Sequence, residues 1–239
     1  NLLSRMVANR EINLIMEVIK EYPEKKIHNA GPASNYGDEK KLQMALNEKN
    51  ISLFLNTHVF EVGKAGDKIV SVSGKSIITG EELIFRGSLF ADCTGDGNVG
   101  FLAEADYREG RESRSETGES HAPEKADNLV MGTSVQWYAE EYAEPQVFQE
   151  CPWAIQFTEE TCQHLIRGDW DWETGFFRDQ VEDIEYIRDH ALRAVFGNWD
   201  FLKNKSHGKD KYRNCKLSWV AYIGGKRESR RILGDIVIR

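Results

Sequence analysis

The sequence predicts an α/β protein into which a region of mixed α+β character is inserted. Three patterns support this prediction. Apolar residues at helical spacing between residues 12 and 22 indicate a helix that Pro23 ends. Residues 51–93 alternate β-branched and aromatic residues with polar ones, which is typical of strands. A second helical pattern, at residues 179–196, is long enough to cover a core.

The first half of the chain is expected to turn from helix to β-meander. Asp38 is placed as the N-cap of a second helix, whose apolar face carries Leu42, Ala45 and Leu46. Glycine-containing turns then divide the following region into three expected strand stretches. These stretches are ISLFLNTHVFEV, KIVSVSGKSII and LIFRGSLFADC.

The second half is expected to begin with a long charged loop at residues 106–127, followed by a strand at residues 128–138. Asp179 is predicted to cap the long helix and Gly197 to end it. A strand is expected at residues 216–223. The apolar face of the helix consists of Val181, Ile184, Ile187, Ala191, Leu192 and Val195.

Composition excludes several classes of protein. The chain has 239 residues, of which 40% are hydrophobic, so it has enough apolar residues for a core. Its net charge of −8 argues against a general nucleic-acid or anionic-membrane partner. Charged residues interrupt the N-terminal apolar segments, so no signal peptide is predicted and the cellular location is left open. Because the chain begins without Met, we expect it to be part of a longer protein.

The cysteines and histidines predict neither a disulfide framework nor a metal site. No two cysteines form a C-x-x-C pair, and four cysteines in a chain of this length indicate free, buried thiols. The histidines are scattered and none has metal-site spacing relative to cysteine or acid. These residues are Cys93, Cys151, Cys162 and Cys215, and His28, His58, His121, His164, His190 and His207.

The stretch FADCTGDGNVG, residues 90–100, contains the pattern G-x-G-x-x-G of dinucleotide-binding loops. A Rossmann loop also needs a long following helix and an acid about 20 residues further on. The acids at that distance, Glu116 and Glu119, lie in the charged loop. Asp96 would place a carboxylate where a pyrophosphate approaches. We therefore do not expect a Rossmann loop here.

Two interpretations of the TGDG turn stay open. Ligands bind at the carboxyl ends of strands in open α/β sheets, and Gly95 and Gly97 permit close backbone approach. Thr94 and Asp96 add polar contacts for hydroxyl or amide groups. The alternative is a tight turn in which Asp96 caps the next helix.

The segment GKRESRR, residues 225–231, concentrates positive charge. Arg227 and Arg230 are candidates for binding an anionic substrate or a flavin-linked oxygen, because guanidinium stays charged and donates in a fork. The alternative is a structural ion-pair network at a domain junction. The similar string GRESR at residues 110–114 is taken as coincidence. Trp170 and Trp172 are expected to pack in a core or at a domain interface rather than stack on a sugar or an aromatic substrate.

Four stretches resemble FAD-dependent oxidoreductases of the glutathione-reductase-like, two-dinucleotide-binding class. The resemblance implies that Thr94, Gly95, Asp96 and Gly97 lie beside the adenosine and diphosphate of FAD, and that Asp92 orients the strand end. It runs from about residue 51 to 239. The stretches are LFLNTHVFEV, LFADCTGDGNVGFLAEADYREGRES, GESHAPEKAD and GKRESRRILGDIVI.

The resemblance also implies a domain organisation. Residues 1–106 would form a partial FAD-binding domain with its β-meander, 107–220 a substrate domain, and 221–239 the return toward the FAD-binding domain. The N-terminal G-x-G-x-x-G unit and the C-terminal flavin segment of such proteins are missing from the sequence. We therefore expect an internal fragment that is inactive alone, and whose partners are the remaining segments of the parent chain.

The parent would transfer hydride between a small-molecule substrate and flavin, with no nucleic-acid or membrane partner. Two alternatives stay open. In one, the chain is a non-catalytic module whose TGDG turn and arginine cluster are structural or bind a partner. In the other, a nicotinamide-dependent enzyme uses GDGNVG directly.

Overall fold

The computed structural model describes residues 37–168, 172–227 and 229–234. The first predicted helix lies outside the described residues. Within these ranges no helix has the length and apolar character needed to cross a membrane. In chain order the helices are α1 (Asp38–Asn47), α2 (Asn98–Leu102), α3 (Arg114–Thr117) and α4 (Ile184–Asp200). The strands are β1 (Thr57–Ala65), β2 (Lys68–Ser76), β3 (Glu82–Arg86), β4 (Tyr107–Arg108), β5 (Thr133–Ser134), β6 (Trp137–Glu141), β7 (Arg167–Gly168), β8 (Glu173–Thr174), β9 (Cys215–Val220) and β10 (Arg231–Ile232).

The β-meander is confirmed as an antiparallel sheet in the order β1-β2-β3. Gly66 and Gly80 have positive φ angles of 61° and 76° in the turns between its strands. The first strand begins at Thr57 and not at residue 51. Asn56 has a φ of 54°, and this left-handed conformation cannot continue an extended strand toward the N-terminus.

The strand predicted at SLFADC, residues 88–93, does not pair with any strand among the described residues. Residues 88–93 belong to none of the sheets in the described ranges, and Leu89 is 85% exposed. A strand requires a partner for its backbone groups, and sequence alternation alone does not supply one. The turn at residues 94–97 nevertheless leads into the short helix α2, as the sequence predicts.

The core lies in the second half of the chain. Strand β6 pairs with β7 and β9, and helix α4 packs near this sheet. Trp137 is fully buried, and its ring lies 5.6 Å from Trp172 and 5.9 Å from Trp199. The predicted core role of Trp172 is therefore confirmed, whereas Trp170 lies outside the described residues. Strand β9 confirms the strand expected from residue 216, and the one expected from residue 128 forms two short strands, β5 and β6.

Helix α4 differs from its prediction at both ends. Asp179 caps a turn before the helix, because its Oδ1 accepts from the amides of Val181 (2.8 Å) and Glu182 (3.0 Å). At the other end the helix runs through Gly197 to Asp200 and continues as a π-helix over Phe201–Lys205. Its expected apolar face is confirmed at three fully or nearly buried positions, Ile187, Ala191 and Val195.

The chain returns to the TGDG region through β10. This strand pairs with β4, so Ile232 lies opposite Tyr107 and Arg231 opposite Arg108. The charged loop at residues 106–127 contributes β4 and α3. The pairing therefore carries the arginine-rich segment to the neighbourhood of residues 94–102.

Candidate functional site

Asp92 organises the TGDG turn. Its Oδ1 accepts hydrogen bonds from the amide and the hydroxyl of Thr94, at 3.0 and 2.7 Å, and its Oδ2 accepts from the amide of Gly100 at 3.0 Å. Thr94 Oγ1 in turn accepts from the amide of Asn98 at 2.9 Å. The two side chains thereby satisfy amides at the start of α2 that have no partner within the helix.

The pKa of Asp92 reflects these contacts. Burial on its own would raise the pKa of the carboxyl, but the hydrogen bonds from Thr94 and from the amides of Gly100 and Val99 outweigh it and lower the pKa. The carboxylate is therefore charged at neutral pH and locked into the turn. This arrangement agrees with the expectation that Asp92 orients the chain at this point.

Asp96 does not cap α2. It is only 8% exposed, and its carboxylate forms an ion pair with Lys226 and accepts from Ser229 Oγ at 3.1 Å. The capping alternative for Asp96 is therefore wrong, because Asp92 and Thr94 bind the helix amides. Asp96 instead ties the turn to the arginine-rich segment.

The two glycines of the turn have different surroundings. Both have positive φ angles, 84° at Gly95 and 60° at Gly97. A Cβ at Gly95 would meet no described atom within 4 Å, whereas at Gly97 it would lie 2.8 Å from Cγ1 of Ile232. Residues 91–95 are exposed. The accessible face of the turn is thus at Thr94 and Gly95, and Gly97 faces the protein.

Arg230 lies in an ion-pair network. Its side chain is 3% exposed, and its guanidinium carbon lies 3.8 Å from the ring centre of Phe101. Nε is 3.7 Å from a carboxylate oxygen of Glu109, and an Nη is 3.5 Å from Glu182. The burial agrees with the structural alternative for this arginine, and its role in substrate binding stays a prediction. Arg227 also interacts with the rest of the protein.

Glu109 is an acid that sequence analysis did not identify. Burial raises its pKa, and so does the charge of Asp179, although Arg230 and Arg231 act in the opposite direction. In the sequence Glu109 is one of many acids in the charged loop, so only its position in the fold reveals its unusual surroundings. A carboxyl with a raised pKa is a candidate proton carrier, and the next residue, Gly110, lines a cavity.

A cavity of about 520 Å³ lies beside this network. Arg111 and Arg231 line the cavity, and the guanidinium of each is hydrogen-bonded to a carboxylate. Arg111 donates to Asp127 at 3.1 Å, and Arg231 donates to Glu112 at 2.7 Å and to the carbonyl of Gly110 at 2.8 Å. The strings GRESR and GKRESRR thus meet in space, although their similarity gave no reason to expect contact. The lining consists of Gly110, Arg111, Leu129, Val130, Met131, Glu173, Phe176 and Arg231.

Comparison with known proteins identifies the family of the chain. The sequence model of the family of FAD dependent oxidoreductases matches residues 35–239, which is most of the chain. The chain therefore belongs to the FAD dependent oxidoreductases, and FAD is the cofactor of this family. No curated protein and no solved structure gives a significant match.

The residues present are compatible with a nucleotide cofactor at the turn. Gly95 is exposed and a Cβ there would meet no described atom within 4 Å, so a phosphate or sugar can approach the backbone at this residue. Helix α2 has five residues, and Asp96 stands between the first two glycines of the pattern. The turn thus lacks the long helix of a Rossmann loop, in agreement with the sequence analysis.

Proposed function

We propose that this protein transfers hydride between a small-molecule substrate and the flavin of FAD, and that residues 94–97 form the part of the FAD site beside the adenosine and diphosphate. FAD, when bound, supplies the hydride chemistry, and the protein positions the cofactor and the substrate. Membership in the family supports the redox activity.

The observation that carries the cofactor assignment is the open face at Gly95. Its φ of 84° and the free space around it combine a backbone that only glycine adopts easily with an accessible surface. Thr94 and Gly95 are proposed as the residues that touch the cofactor. Asp96 and Gly97 are proposed to support the turn, through Lys226 and Ile232 respectively.

The sequence contains one G-x-G-x-x-G pattern, and this pattern lies in the TGDG turn. A helix N-terminus with glycine amides is the usual site for a pyrophosphate, and α2 is short. We propose that the 239 residues alone bind FAD more weakly than micromolar and purify colourless, and that tight binding needs further contacts from the full-length gene product.

The substrate is proposed to enter the cavity beside β4 and β10. Apolar side chains of Leu129, Val130, Met131 and Phe176 line it, which favours a substrate with an apolar body. Arg227 is the proposed contact for an anionic group. Glu109 is the proposed proton carrier, because its raised pKa allows the carboxyl to hold a proton closer to neutral pH.

A pair of glycine variants tests the cofactor assignment in the full-length gene product. Gly95→Val and Gly80→Val carry similar backbone strain, since both positions have positive φ angles and open surroundings. Flavin absorbance per protein is expected to fall at least tenfold in Gly95→Val and to stay at the wild-type level in Gly80→Val. Equal flavin content in the two variants would contradict the assignment.

A further inference from the structure

Three potential metal ligands meet at one end of the α4 region, apart from the TGDG turn in sequence. The ligand atoms of Glu159, Cys162 and His164 all lie within 4.8 Å of one another. Cys162 Sγ is 3.4 Å from His164 Nε2, and this nitrogen is 4.0 Å from Glu159 Oε2. The cluster thus offers one sulfur, one nitrogen and one oxygen ligand.

A fourth potential ligand, His207, lies beside the cluster. His207 Nδ1 is 3.6 Å from Glu159 Oε1, and the backbone amide of His207 donates to the same oxygen. The imidazole of His207 is 93% exposed and is held by no other contact that the structure records among the described residues. It can therefore turn toward an ion at Glu159 without breaking packing.

The structure also orients His164 as metal-bound histidines are oriented. Its second ring nitrogen, Nδ1, lies 3.2 Å from the hydroxyl of Tyr212, which is 1% exposed. The two rings stack with centres 6.3 Å apart. Such a partner fixes the ring and its tautomer, and leaves Nε2 free to bind an ion.

We propose that Glu159, Cys162 and His164 bind a zinc ion, with His207 as the fourth ligand. Mixed sulfur, nitrogen and oxygen ligands suit zinc, whereas calcium and magnesium select oxygen alone. Tetrahedral zinc with bonds of about 2.0–2.3 Å places its ligands about 3.5 Å apart. The separations of 3.4 and 4.0 Å already approach this spacing.

The site would be structural. Glu159, Cys162 and His164 lie in the irregular segment before β7, and His207 lies between the π-helix and the 3₁₀ helix Lys209–Tyr212. An ion shared among them would fasten these two segments, which already meet through the hydrogen bond from the His207 amide to Glu159 and the contact of His164 with Tyr212. Cys162 is 9% exposed and belongs to the core cluster, so its thiolate would attach the ion to the core of the protein.

Cobalt substitution tests this proposal on the purified, chelator-stripped full-length gene product. One equivalent of Co²⁺ is expected to bind and to give both a thiolate-to-cobalt charge-transfer band and intense tetrahedral d–d bands. Added Zn²⁺ is expected to displace the cobalt and abolish both. Cys162→Ser should lose the charge-transfer band, and His164→Gln should weaken binding at least 100-fold.

Two further variants sharpen the test. Tyr212→Phe removes the hydroxyl beside His164 and is expected to weaken Zn²⁺ affinity about tenfold. Cys215→Ser alters another buried thiol of the same core cluster and should leave the cobalt spectrum unchanged. Circular dichroism confirms folding, and His164→Gln is informative even if Cys162→Ser misfolds, because His164 is half exposed. A wild-type protein without the charge-transfer band, or a spectrum that survives both ligand substitutions, would overturn the proposal.

Discussion

Gly97 packs directly against Ile232. A Cβ at Gly97 would lie 2.8 Å from Cγ1 and 2.9 Å from Cδ1 of that side chain, and the φ of Gly97 is 60°. Gly97 therefore joins the TGDG turn to β10 through its lack of a side chain. The close approach that this glycine permits is to the protein's own return strand.

Gly97→Val is expected to lower the free energy of unfolding by about 2–4 kcal/mol, from backbone strain and overpacking together. Gly66→Val is a matched control, because Gly66 has a φ of 61° and open surroundings. It should show only the backbone part, about 1–2 kcal/mol. Urea unfolding measures both. Equal losses in the two variants would show that the contact with Ile232 has no energetic weight.

Gly197 is required inside α4 by a backbone contact. A Cβ there would clash with the carbonyl oxygen of Ile155. Alanine usually stabilises a helix interior relative to glycine by about 0.5–1 kcal/mol. Gly197→Ala is expected to do the opposite and to destabilise the protein by about 1–3 kcal/mol. In thermal unfolding, Gly208→Ala should be nearly neutral, since its nearest neighbour would be 3.7 Å away. A gain in Gly197→Ala would refute the contact.

Asp200 is a buried carboxylate whose charge stabilises the fold. It accepts from the amide of Cys151 at 3.2 Å, from Asn204 at 2.7 Å and from Lys205 at 3.0 Å. Burial would raise its pKa, but these partners outweigh burial and lower it. Asp200→Asn is expected to cost about 3 kcal/mol at pH 7.

The pH dependence follows from the lowered pKa of Asp200. The Asp200 carboxylate stabilises the folded protein fully at pH values above its pKa in the unfolded chain, about 4. This stabilisation is lost as the pH falls through the lower pKa that Asp200 has in the folded protein. The difference in unfolding free energy between wild type and Asp200→Asn should therefore be constant near neutrality and shrink in acid. Urea unfolding at a series of pH values measures it. A difference that grows in acid would show that the assigned sign is wrong.

Arg227 and Arg230 are expected to respond differently to alanine. Arg227→Ala should keep flavin content while lowering the rate of flavin reduction by substrate about 30- to 150-fold, which corresponds to 2–3 kcal/mol. Arg230→Ala should lower stability, because it empties a buried position over Phe101 and leaves Glu109 without its partner. Flavin absorbance, stopped-flow reduction and urea unfolding separate the two. Unaltered reduction in Arg227→Ala would remove it from the substrate site.

Local patterns predicted local structure well. The alternation and turn glycines of residues 57–86 define their sheet without help from distant residues, and the spacing of Ile187, Ala191 and Val195 defines the buried face of α4. The motif FADCTGDGNVG was correctly separated from a Rossmann loop, because the expected long helix was missing from the sequence.

Contacts between distant segments set the features that the sequence did not predict. Glycine often ends a helix, so the sequence placed the end of the helix at Gly197. The helix instead continues, and glycine is needed at this position because the carbonyl of Ile155 lies where a side chain would begin. Aspartate is a common helix cap, so the sequence allowed that role for Asp96. In the structure Asp96 instead pairs with Lys226, which lies 130 residues away in the sequence. Glu159, Cys162 and His164 are close in sequence, whereas the fold brings His207, 48 residues beyond Glu159, beside them.

Hydrogen–deuterium exchange in the full-length gene product tests the cofactor assignment most directly. FAD-loaded and FAD-free protein are compared, and amides in peptides covering residues 91–97 are expected to exchange more slowly with FAD bound. Peptides from β2, at Lys68–Ser76, serve as the internal reference and should exchange equally in both states. If FAD protects other segments while residues 91–97 exchange at the same rate with and without it, the turn does not contact the cofactor.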